Sequence, residues 1–203
     1  MLEAPSAPTA FRLDYPDAEV VIGIVCAVGT DYQRIADHLT QVLPSFGYRA
    51  NVLKVSSFIP ETAAALNLRL RLPRSPEGKR LKAYMDAGNR LRRETGRCDI
   101  FALVAASRLA SSRKGLDVGQ PEPFDRVAHV ILSLKRPEEI DTLRRIYGSG
   151  FFLIGVFATE QERLDFLKDP ERSVSHKEAE QLIKRDLDDE DKEYGQRTRD
   201  TFH

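Results

Sequence analysis

Val20-Val21-Ile22-Gly23-Ile24-Val25-Cys26-Ala27-Val28-Gly29-Thr30-Asp31 is the segment from which the architecture can be built outward. Its first half is a continuous apolar, mostly β-branched run. Such a run reads as a strand buried on both faces, the mark of a parallel sheet. A Gly-containing turn follows, Cys26 to Asp31. After it Ile35, Leu39, Val42, Leu43 and Phe46 recur at helical spacing, and Gly47 stands where a helix stops. Asn51 to Phe58 then reads as a second strand. Strand, turn, helix and strand in that order make a βαβ unit.

The same alternation continues along the chain. Residues 60 to 78 carry Pro60, Pro73 and Pro76, with a short helix expected near Glu61 to Leu68. Lys79 to Thr95 reads as a stronger helix, with Leu81, Tyr84, Met85, Gly88 and Leu91 on one face. A glycine inside a helix costs about 1 kcal/mol relative to alanine. Gly88 therefore marks either close packing against a neighbour or close approach of a ligand. Asp99 to Ala110 reads as an apolar helix and Ser111 to Asp125 as a loop. Val127 to Leu134 is a strand, and Pro137-Glu138-Glu139 opens a helix that runs to about Tyr147, with the acids at the dipole's positive end. Phe151 to Ala158 is a strand, and helices follow at Glu160 to Leu167 and Ser175 to Arg185. The order β-α-β-α-α-β-α-β-α-α predicts an α/β fold with a mostly parallel sheet and helices on both faces. Ligands of such folds bind beyond the carboxyl ends of the strands. The rim is then built from Cys26 to Asp31, Phe58 to Glu61, Leu134 to Glu138 and Ala158 to Gln161. Residues 1–18, with Pro5, Pro8 and Pro16, read as a flexible arm, and 19–203 as one domain.

Composition narrows the function. The 203 residues include 31 basic and 31 acidic side chains, so the formal net charge is zero. No run of about 18 apolar residues is present to cross a bilayer, and the first residues lack the apolar core of a secretory leader. Cys26 and Cys98 are too few and too far apart for a disulfide framework or a Cys-rich zinc site. A soluble, cytoplasmic protein is expected. The zero charge is an average. Arg69 to Lys114 holds thirteen basic residues against four acidic, and Glu160 to the end fourteen acidic against nine basic. Such blocks read either as solvated helix faces or as a basic middle that meets phosphate and an acidic tail that meets something else.

The first turn has the setting of a phosphate site, a strand end feeding a helix N-terminus. It lacks the P-loop residues. Cys26 occupies the first Gly position of GxxxxGK[ST], Asp31 the second, Tyr32 the Lys position and Gln33 the Ser/Thr position. The third strand runs into Ser133-Leu134-Lys135-Arg136, with no carboxylate for Mg²⁺ before Glu138. Phosphoryl transfer relies on such charges, so nucleotide binding without turnover is expected. His176-Lys177-Glu178 matches half of a zinc-deaminase signature, but no cysteine follows Cys98 to complete it.

Several segments together resemble one family. These are Val21 to Asp31; Met85-Asp86-Ala87-Gly88-Asn89-Arg90-Leu91-Arg92; Leu132 to Glu139; Arg144 to Val156; and Glu193 to His203. They resemble the N-terminal half of the bacterial anti-phage dCTP deaminases, relatives of deoxycytidylate deaminase. In that family a P-loop kinase-like half precedes a zinc deaminase half, and deamination of deoxycytidine nucleotides starves phage replication of dCTP. The resemblance implies a P-loop nucleotide kinase-like domain that binds a nucleotide and regulates. It implies phosphate contacts at Gly29, Thr30 and Asp31, a nucleotide-binding helix bearing Gly88, Arg90 and Arg92, and a strand-end cation at Arg136. Cys26 stands where the loop-opening glycine is expected. In the family the chain continues beyond the counterpart of His203 into a further strand and the deaminase. On this reading the sheet lacks an edge strand, no catalytic residue is present, and zinc belongs to the deaminase half, in cis or in trans. The expected partners are a nucleotide, that deaminase half and a second copy, with nucleic acid left open and a membrane not. The alternatives are an active nucleoside-monophosphate kinase, or a protein- or RNA-binding module using the basic 69–114 block.

Overall fold

A computed structural model describes residues 18–113 and 126–201. The expected arm, apart from Ala18, and most of the expected 111–125 loop lie outside those residues. The fold is α/β, with a four-stranded, all-parallel sheet among the described residues in the order β2-β3-β1-β4. The strands are β1 (Val20–Cys26), β2 (Arg49–Lys54), β3 (Val127–Leu134) and β4 (Phe151–Val156). The helices are α1 (Tyr32–Val42), α2 (Ile59–Ala65), α3 (Glu77–Thr95), α4 (Ile100–Arg113), α5 (Pro137–Tyr147), α6 (Glu160–Leu167), α7 (His176–Asp188) and α8 (Thr198–Thr201).

Both faces of the sheet are covered, which is why β1 reads as an unbroken apolar run and β3 as one interrupted only by His129 and Ser133. Val21, Val25, Ile131, Leu134 and Phe151 pack with α3, α4 and α5 on one face. Ile22, Ile24, Ala128, Val130 and Leu132 meet Ala36, Ile35 and Leu39 of α1 on the other. A third cluster joins Met85 of α3 to Leu167 of α6 and to Leu182 and Ile183 of α7.

Leu132 and Leu134 have the spacing of residues on one face of a strand, yet they lie in opposite cores. A bulge separates them. Ile24 pairs with Leu132 and Val25 with Leu134, leaving Ser133 off the ladder at φ 68°. One extra residue reverses the alternation and re-aims the strand end. Gly23 makes room for the result, since a Cβ there would stand 2.7 Å from Leu134 Cδ1.

The second strand is shorter than its apolar pattern predicts. It ends at Lys54, and Val55–Phe58 form a 3₁₀ turn. Ser57 Oγ donates to the Lys54 carbonyl at 2.6 Å, a local bond that competes with the ladder. The acidic segment after Arg185 is partly internal, with Asp188, Asp191 and Glu193 exposed. α7 runs on to Asp188, and both Asp186 and Asp189 are buried. Asp189 accepts hydrogen bonds from Asn89 at 2.8 Å and Lys192 at 2.6 Å.

Glu139, fully buried in the first turn of α5, joins three elements. It accepts from the backbone N–H of Lys135 at 2.7 Å and of Arg136 at 3.2 Å, and from Arg92 of α3 at 3.1 Å. Removing one partner of a buried ion pair costs about 3–5 kcal/mol. Glu139→Ala is therefore expected to lower the unfolding free energy by about that much, while Glu94→Ala, whose carboxylate and Arg90 partner are both well exposed, is expected to cost no more than about 1 kcal/mol. Urea denaturation of the two variants measures the difference.

Candidate functional site

A cavity of about 300 Å³ opens beyond the carboxyl ends of β1, β2 and β3. Its floor is Cys26, Thr30, Ser133 and Lys135. Lys54 and Val55 close one side, and Arg80, Tyr84, Gly88 and Arg92 of α3 another. Phe166 and Leu167 of α6, with Arg172 beyond it, complete the wall. This size is at the lower end of ordinary small-ligand sites.

Five cations line it. Arg92 is paired with Glu139. Arg80 holds Glu77 through two hydrogen bonds of 2.5 and 2.6 Å, and these keep the Glu77 carboxyl below its usual range. Lys54, Lys135 and Arg172 make no ion pair with a carboxylate among the described residues. Lys54 instead lies 5.2 Å from the Tyr32 ring and Arg172 3.7 Å from the Phe166 ring. Lys135 Nζ donates to the Cys26 carbonyl. Burial pushes the Cys26 thiol up, so it stays protonated at neutral pH. Two buried polar atoms at the wall have no protein partner among the described residues, Thr30 Oγ1 and Arg92 Nε. Aromatic faces, surplus positive charge and orphaned polar atoms together suit an anionic ligand with a flat ring.

The structure divides the residues expected at the site. Gly29, Thr30, Gly88 and Arg92 line the cavity. Asp31 caps α1, its Oδ1 accepting from Arg34 N at 3.2 Å. Arg90 lies outside the lining, exposed and 3.6 Å from Glu94. Arg136 also lies outside it. Its guanidinium is buried, donating twice to Glu138 and once to the Gly195 carbonyl at 3.0 Å. The strand-end cation that faces the cavity is Lys135, one residue earlier, because the bulge at Ser133 shifts the alternation. The rim is also built differently at its far end. Phe166 and Leu167 line the cavity, and Ala158 to Gln161 do not.

The first turn is held from behind. Val28 N donates to Asp186 Oδ2 at 2.9 Å, and Arg163 Nε donates to the Val28 carbonyl at 2.7 Å. Thr30 N donates to the Ala27 carbonyl at 3.2 Å. Of the N–H groups expected to meet phosphate, that of Thr30 is thus committed within the turn.

Lys54, Arg80 and Arg172 carry no motif that singles them out in the sequence. Lys54 falls inside the strand expected at Asn51 to Phe58, and only the early end of that strand puts it at the rim. His176 is exposed and 3.2 Å from Glu180. Among the described residues no three His, Cys, Asp or Glu side chains converge as metal ligands. No helix among the described residues is long and apolar enough to cross a membrane.

No protein-family model matches the chain, and no curated protein matches it.

The two site glycines differ in kind. Gly29 has φ +85°, and a Cβ there would stand 2.9 Å from the Arg163 carbonyl oxygen. A Cβ on Gly88 would meet nothing closer than 3.7 Å. Gly29→Ala is expected to destabilise by more than about 1 kcal/mol, and Gly88→Ala to stabilise by up to about 1 kcal/mol through helix propensity. Thermal denaturation reads both; a lower melting temperature for Gly88→Ala would show that packing requires the glycine.

Proposed function

We propose that this chain is a nucleotide-binding, regulatory domain of P-loop kinase-like fold, without phosphotransfer activity of its own. The observation that carries the reading is the cavity beyond the strand ends, where Lys54, Lys135 and Arg172 lack carboxylate partners beside Tyr32, Tyr84 and Phe166. Phosphate supplies the missing negative charge, and the aromatic rings offer faces to a base. Kinase turnover is disfavoured because Tyr32 and Gln33 replace the Lys and Ser/Thr of a working loop. Glu77, the carboxylate on the wall, is engaged by Arg80.

The resemblance to the anti-phage dCTP deaminases extends this proposal. On it the domain is cytoplasmic and senses a nucleotide for a deaminase half that depletes dCTP. The strand order β2-β3-β1-β4 supports a P-loop kinase-like class. A second reading, nucleic-acid binding, is favoured by the exposed Arg69, Arg71 and Arg74.

Calorimetric titration with nucleoside mono- and triphosphates, dCMP and dCTP among them, tests the proposal. Saturable binding is expected, with no ATP consumption in a coupled assay with Mg²⁺. Absence of binding to every nucleotide overturns it. Binding to an oligonucleotide that weakens steeply with added salt would support the second reading.

A further inference from the structure

We propose that the nucleotide's phosphate is held chiefly by cationic side chains from outside the first turn, namely Lys54, Lys135 and Arg172, with the turn's backbone N–H groups contributing less. This rests on the nucleotide-binding reading above and concerns how the anion is recognised.

Two of the turn's N–H groups are already engaged by its own chain. Asp186, a carboxylate 3% exposed, takes the Val28 N–H, and Ala27 takes that of Thr30. Asp186 thus occupies, from the side of α7, a donor that an anion-binding turn would offer. Gly29 is pressed against α6, where its ideal Cβ would lie 3.0 Å from Arg163 Cβ and 3.1 Å from Leu167 Cδ1. The turn has little room to rearrange around a phosphate while α6 and α7 stay in place.

Positive charge arrives from elsewhere. Lys135, at the end of β3, brings its ammonium to the Cys26 carbonyl and so places at the turn the cation that Tyr32 does not supply. Lys54 and Arg172 are steadied by aromatic rings, and the one carboxylate whose field they share, Glu77, is hydrogen-bonded to Arg80, so the lining keeps an excess of positive charge. Arg92 Nε and Thr30 Oγ1, buried and unpartnered at the same wall, are a second sign that the cavity accepts a polar ligand. The class of ligand that follows is a nucleotide with an ionised phosphate; the corresponding nucleoside gains nothing from these three side chains.

The test is a calorimetric comparison of dCMP, dCTP and deoxycytidine, with AMP and ATP as a second base. The proteins are the wild type, Lys54→Gln, Lys135→Met, Arg172→Ala and a control, Lys79→Ala/Arg93→Ala, which removes two exposed cations outside the cavity. Each cavity variant is expected to bind nucleotide about tenfold or more weakly, the effect of one lost charge-assisted contact. Binding of any nucleoside is expected to stay within about twofold of wild type, and the control to bind nucleotide as wild type does. Lys54→Gln keeps the stem beside Tyr32, so it still tests the charge if Lys135→Met fails to fold. Wild-type protein that binds nucleotide with the same affinity as all three cavity variants overturns the inference and leaves the nucleotide reading standing. Wild-type protein that binds no nucleotide overturns that reading itself.

Discussion

The Val28 peptide is gripped on both sides by one buried ion pair. Asp186 of α7 accepts its N–H and Arg163 of α6 donates to its neighbouring carbonyl. The two side chains are themselves 3.5 Å apart and nearly excluded from water. Buried charges persist where polar groups of the chain share them, and Val28 supplies a donor through its N–H and an acceptor through its C=O, while Asp186 Oδ1 keeps no partner among the described residues. This arrangement locates the turn between β1 and α1. It therefore locates the floor of the cavity, the start of α1 and the packing of Gly29 on α6. It also explains why acidic residues near the C-terminus belong to the fold. Asp186 and Asp189 serve as internal partners for a turn and for α3, and neither forms part of a free acidic surface.

A second constraint lies across the sheet at Ser133. The bulge there carries Leu134 to the opposite core, where Gly23 leaves space for it. The strand end then delivers Lys135 to the cavity and Arg136 to Glu138 and Gly195. Immediately beyond, Glu139 collects the backbone N–H groups of Lys135 and Arg136 and the guanidinium of Arg92. The charge of Arg92 is thus spent within the fold, apart from its unpartnered Nε. Lys54, Lys135 and Arg172 make no close ion pair among the described residues, and with Glu77 engaged by Arg80 they give the cavity its surplus positive charge.

The extent to which the site could be read in advance follows from these contacts. Gly29, Thr30 and Gly88 were legible, because a turn after an apolar strand and a glycine inside a helix are local signals. Arg92 and Arg136 were named by the family resemblance alone; Arg92 lines the cavity while paired with Glu139, and the strand-end cation at the cavity is Lys135, not Arg136. Arg80 and Arg172 had no local mark. They reach the cavity from α3 and from beyond α6, and only packing of those helices against the sheet brings them together.

Taken alone, the sequence determined the alternation of strands and helices, the parallel sheet buried on both faces and the turns at its strand ends, though the order left out the short helices α2 and α8. Those properties depend on hydrophobic period and turn chemistry, which act over a few residues. Tertiary structure decided which cations remain without carboxylates, which N–H groups of the first turn are committed, and which way the end of β3 points. Those depend on residues such as Val28 and Asp186, 158 positions apart, and on a single residue off the ladder. No local pattern records either, because each exists only when distant segments compete for the same polar groups.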